Sequence, residues 1–118
     1  MTTLDIVVPH YSEPWEMAKP FFDVLNGQRG VDFDDFRVWL VHDGVDMFPA
    51  DKLRDYQYQI CQSQIPHKGV SAARNFGMDL ADSKWICFCD CDDSFSSIYS
   101  LYFLFHILKN DDNKYDMM

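Results

Sequence analysis

Long apolar runs are missing from this sequence. The most apolar stretch, residues 95–108, is about 14 residues long and is interrupted by serines and His106; a bilayer span needs roughly 20. Residues 1–9 have neither a basic start nor a long apolar core, so no secretory signal is read there, and a cytoplasmic setting is expected. Positive charge is also scarce. Ten Lys and Arg face 19 Asp and Glu, a formal net charge of −9, which works against unspecific binding to nucleic acid and to an anionic membrane surface. The four cysteines, Cys61, Cys87, Cys89 and Cys91, lack the C-x₂₋₄-C spacing of closed zinc sites. Three of them alternate along one apolar run, so they point to one face and read as buried thiols in a reducing compartment. G-x-G-x-x-G and G-x-x-x-x-G-K-[ST] are both absent, which argues against a dinucleotide fold and a P-loop. Pro9-His10-Tyr11 stands where a phosphoacceptor receiver domain would need an acidic pair.

What is present suits one compact domain. The 118 residues are 47% hydrophobic and 16% aromatic, enough to bury a core without cross-links. Strand-like and helix-like pieces alternate with no internal repeat. Residues 4–9 and 36–41 read as buried strands, and 84–89 is the clearest strand of all. Tyr56, Tyr58 and Ile60 alternate with Gln57 and Gln59, a weaker strand pattern. Ser12 is placed to cap a first helix, with Pro14 in its first turn and Trp15, Ala18, Phe22 and Leu25 on one face; Pro20 conflicts with that helix. Residues 50–55 suggest a short helix. Residues 71–81 suggest another, with Ala73, Gly77 and Leu80 along one side; 95–108 reads as a helix apolar on most faces, and 110–118 as a polar tail. The expected fold is α/β: a mainly parallel, Rossmann-like sheet flanked by helices. Ligands on such sheets bind beyond the carboxyl ends of the strands.

Three clusters fall at those ends. Asp90-Cys91-Asp92-Asp93 follows the Trp85-Ile86-Cys87-Phe88-Cys89 strand. It suits either a hard divalent cation, Mg²⁺ or Mn²⁺, shared with ligand phosphates, or an acidic turn capping the next helix. His67-Lys68-Gly69-Val70-Ser71-Ala72-Ala73-Arg74-Asn75 leads small residues into a helix between two cations. Free N–H groups there favour an anion; an ordinary helix start reads the same way. Asp43-Gly44-Val45-Asp46 follows the second strand, where an acid can accept from a base or ribose edge or simply serve a turn.

Taken in order, these blocks resemble the family two glycosyltransferases of GT-A fold. The family pattern is a strand ending near Pro-x-Tyr and a strand ending in Asp-Asp-Gly-Ser. Gly-x-Ser-x-Ala-Arg-Asn then opens a helix, and an aromatic strand ends in Asp-x-Asp-Asp. Here the corresponding residues are Pro9-His10-Tyr11, His42-Asp43-Gly44-Val45, Gly69-Val70-Ser71-Ala72-Ala73-Arg74-Asn75 and Asp90-Cys91-Asp92-Asp93, so the likeness spans about residues 4 to 95. The resemblance implies that Pro9, Tyr11 and Asp43 line the nucleobase pocket and that Arg74 faces the base or diphosphate. It implies Asp90 near the ribose and Asp92 holding Mn²⁺ or Mg²⁺ on the diphosphate. The implied donor is a nucleoside diphosphate sugar, usually a UDP-sugar, passed with inversion to an acceptor that the sequence does not reveal.

Two departures stand out. His42 occupies a position commonly Asp, and Val45 one commonly Ser. Family members also continue through an acceptor-binding half that holds the catalytic base, so residues 1–118 are expected to be a single, truncated donor-binding domain, and no residue is assigned as base. Asp111, Asp112 and Asp116 belong to the polar tail. A non-catalytic remnant that binds a nucleotide or a partner is the alternative. In it a second copy would cover the apolar 95–108 helix, giving a homodimer.

Overall fold

A computed structural model describes residues 2–91 and 100–110. Its elements are β1 (Leu4–His10), α1 (Trp15–Asn26), β2 (Phe36–Asp43), α2 (Ala50–Leu53), β3 (Gln59–Ile65), α3 (Val70–Leu80), β4 (Trp85–Phe88) and α4 (Ser100–Asn110). The four strands form one parallel sheet in the order β3-β2-β1-β4. The chain steps outward from β1 to β2 and β3, then returns to the other side of β1. That reversal opens a crevice at the carboxyl ends of β1 and β4, the usual ligand position on such sheets.

Apolar alternation builds the two faces. Leu4, Ile6 and Val8 of β1 pair in register with Phe36, Val38 and Leu40 of β2. All six are fully buried, in one core with Phe21, Phe22 and Leu25 of α1 and Leu101, Phe105 and Leu108 of α4. The opposite face is covered by α3, which packs on β1 and β2. It comes close because Gly77 has no side chain: a Cβ there would run into Val7 and meet Val41 Cγ2 at 3.4 Å.

Pro9 lies within the central strand, a place that normally rejects proline. The β1–β4 ladder shows why it is tolerated. Trp85 N–H donates to Thr3 C=O at 3.2 Å and Cys89 N–H to Val7 C=O at 3.1 Å, and the last paired residues are Val7 and Phe88. By this register the next β1 donor toward β4 would be the nitrogen of residue 9, which carries no hydrogen. Pro9 therefore ends the ladder where the crevice begins.

Several local expectations are corrected. Pro14 is the N-cap of α1, and no side chain caps the helix; Ser12 is exposed nearby. Pro20 is accommodated inside α1 because it and Glu16 are on the exposed face, where water can satisfy the released carbonyl. The third strand starts at Gln59 rather than Tyr56. Tyr56 and Tyr58 instead anchor the end of α1: Tyr58 donates to the Phe22 carbonyl at 2.7 Å and Tyr56 to Asp23 Oδ1 at 2.6 Å. Their alternation was a packing signal, not a strand signal. Leu80 is 38% exposed and does not share the buried side of Ala73 and Gly77.

Helix α4 buries Leu101, Phe105 and Leu108 in the chain's own core and exposes Tyr102 and Ile107. One face is thus covered without a second copy, which narrows the surface a homodimer would have to bury. The first five residues of the expected helix lie outside the described residues. Among the described residues no helix is long and apolar enough to cross a membrane. The cysteines form no disulfide; Cys91 is buried, whereas Cys61, Cys87 and Cys89 are half-buried. Cys87 and Cys89 Sγ lie 3.8 Å apart on the shared face.

Candidate functional site

A cleft of about 200 Å³ opens at the carboxyl ends of β1, β2 and β4 and the start of α3. Pro9, Tyr11, Asp43 and Asp90 all line it, together with His10, Glu13, His67 and Gly69. Its size suits a base-sized group rather than an entire sugar nucleotide.

Asp43 is the anchor of one wall. Its side chain is almost fully buried. Oδ1 accepts the Lys68 N–H at 2.8 Å; Oδ2 accepts the Gly69 N–H at 3.0 Å and faces His67 Nδ1 at 3.0 Å. Burial alone would raise its pKa, but the two backbone donors and His67 outweigh it and hold the carboxyl below the usual range. Asp43 thereby ties the β3–α3 loop to the end of β2. Gly44 makes that approach possible. Its φ is +76°, and a Cβ there would sit 2.9 Å from the His67 backbone nitrogen. Gly69, at φ +100° and ψ 168°, takes a conformation reserved for glycine and turns the chain into α3.

The tether also places His67. Its ring stacks on Tyr11, with centroids 4.4 Å apart and planes 21° from parallel. Both rings are half-exposed, so they offer an aromatic surface at the cleft mouth. The Tyr11 N–H donates to Glu13 Oε1 at 3.1 Å, which fixes the turn after β1.

On the other side, Arg74 from the second turn of α3 donates through Nη2 to Asp90 Oδ1 at 3.2 Å. Arg74 does not line the cleft itself; Asp90 brings it to the edge. Its Nε is buried without an acceptor among the described residues. Asp92 and Asp93 lie outside the described residues. Among the described residues no three His, Cys, Asp or Glu come together as a metal group. Asp90 offers a half-exposed carboxylate of the hard-oxygen kind a divalent cation prefers, but Asp43 is already spent on the loop.

A polar chain that no sequence motif announces runs beneath the cleft. His10 ends β1 and His42 lies beside it in β2, paired in register. His10 Nδ1 and His42 Nδ1 are 2.8 Å apart. His10 Nε2 meets the Glu13 carbonyl at 2.6 Å, and His42 Nε2 meets Gln62 Oε1 at 2.7 Å. The available signal was that one histidine ends β1 and the other stands one residue before the end of the adjacent parallel strand β2.

The model of glycosyl transferase family 2 matches residues 5–114, so the chain belongs to glycosyl transferase family 2. Among solved structures it is similar to S. aureus TarS residues 1–349, with a TM-score of 0.80 at 19% identity, covering 95% of this chain and 33% of that one. The same protein in complex with UDP gives 0.77 at 19% identity, with 95% and 33% covered. In complex with UDP-GlcNAc it gives 0.73 at 18%, with 95% and 32% covered. The likeness establishes the GT-A, Rossmann-like fold, and this chain spans about a third or less of those chains' length. No curated protein matches the chain.

Proposed function

We propose that this chain forms the donor-binding part of a glycosyltransferase that takes a nucleoside diphosphate sugar, with UDP as the nucleotide, and transfers the sugar with inversion. The observation that carries the reading is the cleft itself. It lies at the strand-order reversal of a parallel sheet, is walled by Pro9, Tyr11, Asp43 and Asp90, and has Arg74 at its rim through Asp90. A similar fold, S. aureus TarS, has been solved with UDP and with UDP-GlcNAc.

In this reading the base enters between Pro9 and the Tyr11–His67 surface. Asp43 keeps that wall closed by holding Lys68 and Gly69. Arg74, whose Nε lacks an acceptor among the described residues, offers its donors to the diphosphate, a pairing that guanidinium geometry favours. Asp90 orients Arg74 and borders the ribose. Mn²⁺ or Mg²⁺ held through Asp92 would supply positive charge to the departing diphosphate. The described residues alone do not form such a metal group, and Asp92 is the residue proposed to complete it. The acceptor hydroxyl must also lose its proton to a base, and no described residue is assigned that role.

Asp92→Asn tests the metal assignment. UDP affinity in the wild-type chain should rise on adding Mn²⁺ and fall back with chelator. The variant should bind UDP equally weakly in both conditions, as read by calorimetry. A variant that retains the full Mn²⁺ response would remove Asp92 from the metal.

A further inference from the structure

The His10–His42 pair has hydrogen-bond partners that dictate its protons. The Glu13 carbonyl can only accept, so His10 Nε2, 2.6 Å away, must carry hydrogen. Gln62 is equally constrained. Its Nε2 donates to the Phe48 carbonyl at 3.0 Å, and its Oε1 accepts the Phe48 N–H at 3.0 Å. Two backbone groups of one residue thereby fix which end of the amide is oxygen. His42 Nε2, 2.7 Å from that Oε1, must carry hydrogen too.

With both Nε2 atoms protonated, two neutral rings would face each other through bare Nδ1 lone pairs at 2.8 Å. Moving a proton from either Nε2 to Nδ1 repairs that contact only by turning a lone pair onto the Glu13 or Gln62 oxygen. One additional proton between the Nδ1 atoms satisfies every contact at once. His42 is fully buried and His10 is 5% exposed, so water cannot readily take the place of these partners.

We propose that His10 and His42 share one proton and act as a single buried cation at the floor of the cleft, whose charge draws the anionic nucleotide toward the cleft at longer range. His10 lines the cleft together with the carboxylates of Glu13, Asp43 and Asp90, and the chain is strongly acidic, so an embedded positive charge offsets part of the local negative charge. The inference of a nucleotide partner rests on the donor-site reading above; the shared proton does not.

The surroundings allow one charge and resist two. Burial lowers the His42 pKa, the Gln62 acceptor works against that, and the neighbouring His10 lowers it further. From the turn after β1, the Glu13 carboxylate faces His10; burial would raise its pKa, but the Tyr11 N–H and the Cys91 thiol, with a smaller contribution from His10, hold it below the usual range. Asp43 adjoins His42 in β2 but spends its oxygens on the loop. Gln62 of β3 is neutral. The Phe48 ring lies 4.4 Å from the His10 centroid and 5.4 Å from that of His42.

Binding and protonation are reciprocal, so a nucleotide that prefers the charged pair must raise its proton affinity. Affinity is then full while the pair holds its proton and falls as pH rises past the point of its loss. Nitrogen NMR of the ¹⁵N-labelled chain tests the proton directly. Both Nε2 atoms should be protonated at neutral pH, with scalar coupling between the two Nδ1 atoms across one N–H···N bond. A bare Nε2 on either ring would overturn the shared proton. UDP titrations between about pH 5 and 8, the range in which histidine changes charge, form the second arm. Wild-type affinity should drop about tenfold, one unit of coupled proton affinity, and His42→Asn should flatten the dependence. UDP binding that is independent of pH in the wild type would overturn the role of the charge. No UDP binding at any pH would defeat the donor-site reading, while the NMR spectra would still decide the shared proton.

Discussion

Asp5→Ala should cost about 3–5 kcal/mol of folding stability, the usual result of leaving one member of a buried ion pair alone. Asp5 sits fully buried in the central strand. It accepts Arg37 Nε at 2.8 Å and Nη2 at 3.0 Å from β2, and the backbone N–H groups of Asp82 and Ser83, each at 2.9 Å, from the turn before β4. One carboxylate thus joins three consecutive pieces of the sheet at the end opposite the cleft. Asp82 also pairs with Arg37, but it is exposed and cannot replace the buried partner. Burial would raise the Asp5 pKa, yet Arg37 and Ser83 outweigh it and the carboxyl stays below its ordinary range. Its contribution is therefore complete above about pH 4 and is lost as pH falls through the lowered folded value. Urea unfolding across pH checks both parts. The variant should lose the stated stability at neutral pH and show a flatter acid limb. A loss below about 1 kcal/mol, the range of ordinary exposed pairs, would mean that water replaces these bonds.

Asp43→Ala should reduce stability by about 2–4 kcal/mol, since it strips the acceptor from two loop N–H groups and from His67. Its functional effect should exceed its structural one. Without the tether, Lys68 and Gly69 lose their position, His67 leaves Tyr11, and the start of α3 no longer closes the cleft. UDP affinity should fall at least about tenfold in protein that remains folded, the scale of one well-placed charged hydrogen bond. Circular dichroism fixes the folded fraction, and calorimetry on that fraction reads the affinity. Wild-type UDP affinity in a folded variant would show that Asp43 has no part in the site.

The parallel sheet was legible because its strands are short apolar runs separated by helical patterns. β1, β2 and β4 fall close to where those runs lie. The third strand was legible only as a weak pattern placed too early, at Tyr56 rather than Gln59, because Tyr56 and Tyr58 mimic strand alternation while packing on α1. Much of the cleft was also legible: Pro9, Tyr11, Asp43 and Asp90 belong to blocks at strand ends, and topology alone brings such ends together. The roles inside the cleft were less so. That Asp43 spends its oxygens on Lys68 and Gly69 depends on the loop's path, which residue types do not reveal. The histidine pair depends on register, His10 opposite His42, and on an amide from the edge strand. The Asp5–Arg37 pair likewise links positions that become neighbours only when β1 and β2 align.

Calorimetric titration of the chain with UDP, GDP and CDP, each with Mn²⁺ and then with chelator, tests the central claim most directly. UDP should bind, and its affinity should drop when the metal is removed, with GDP and CDP weaker. Absence of binding by all three nucleotides would contradict a donor site in this cleft.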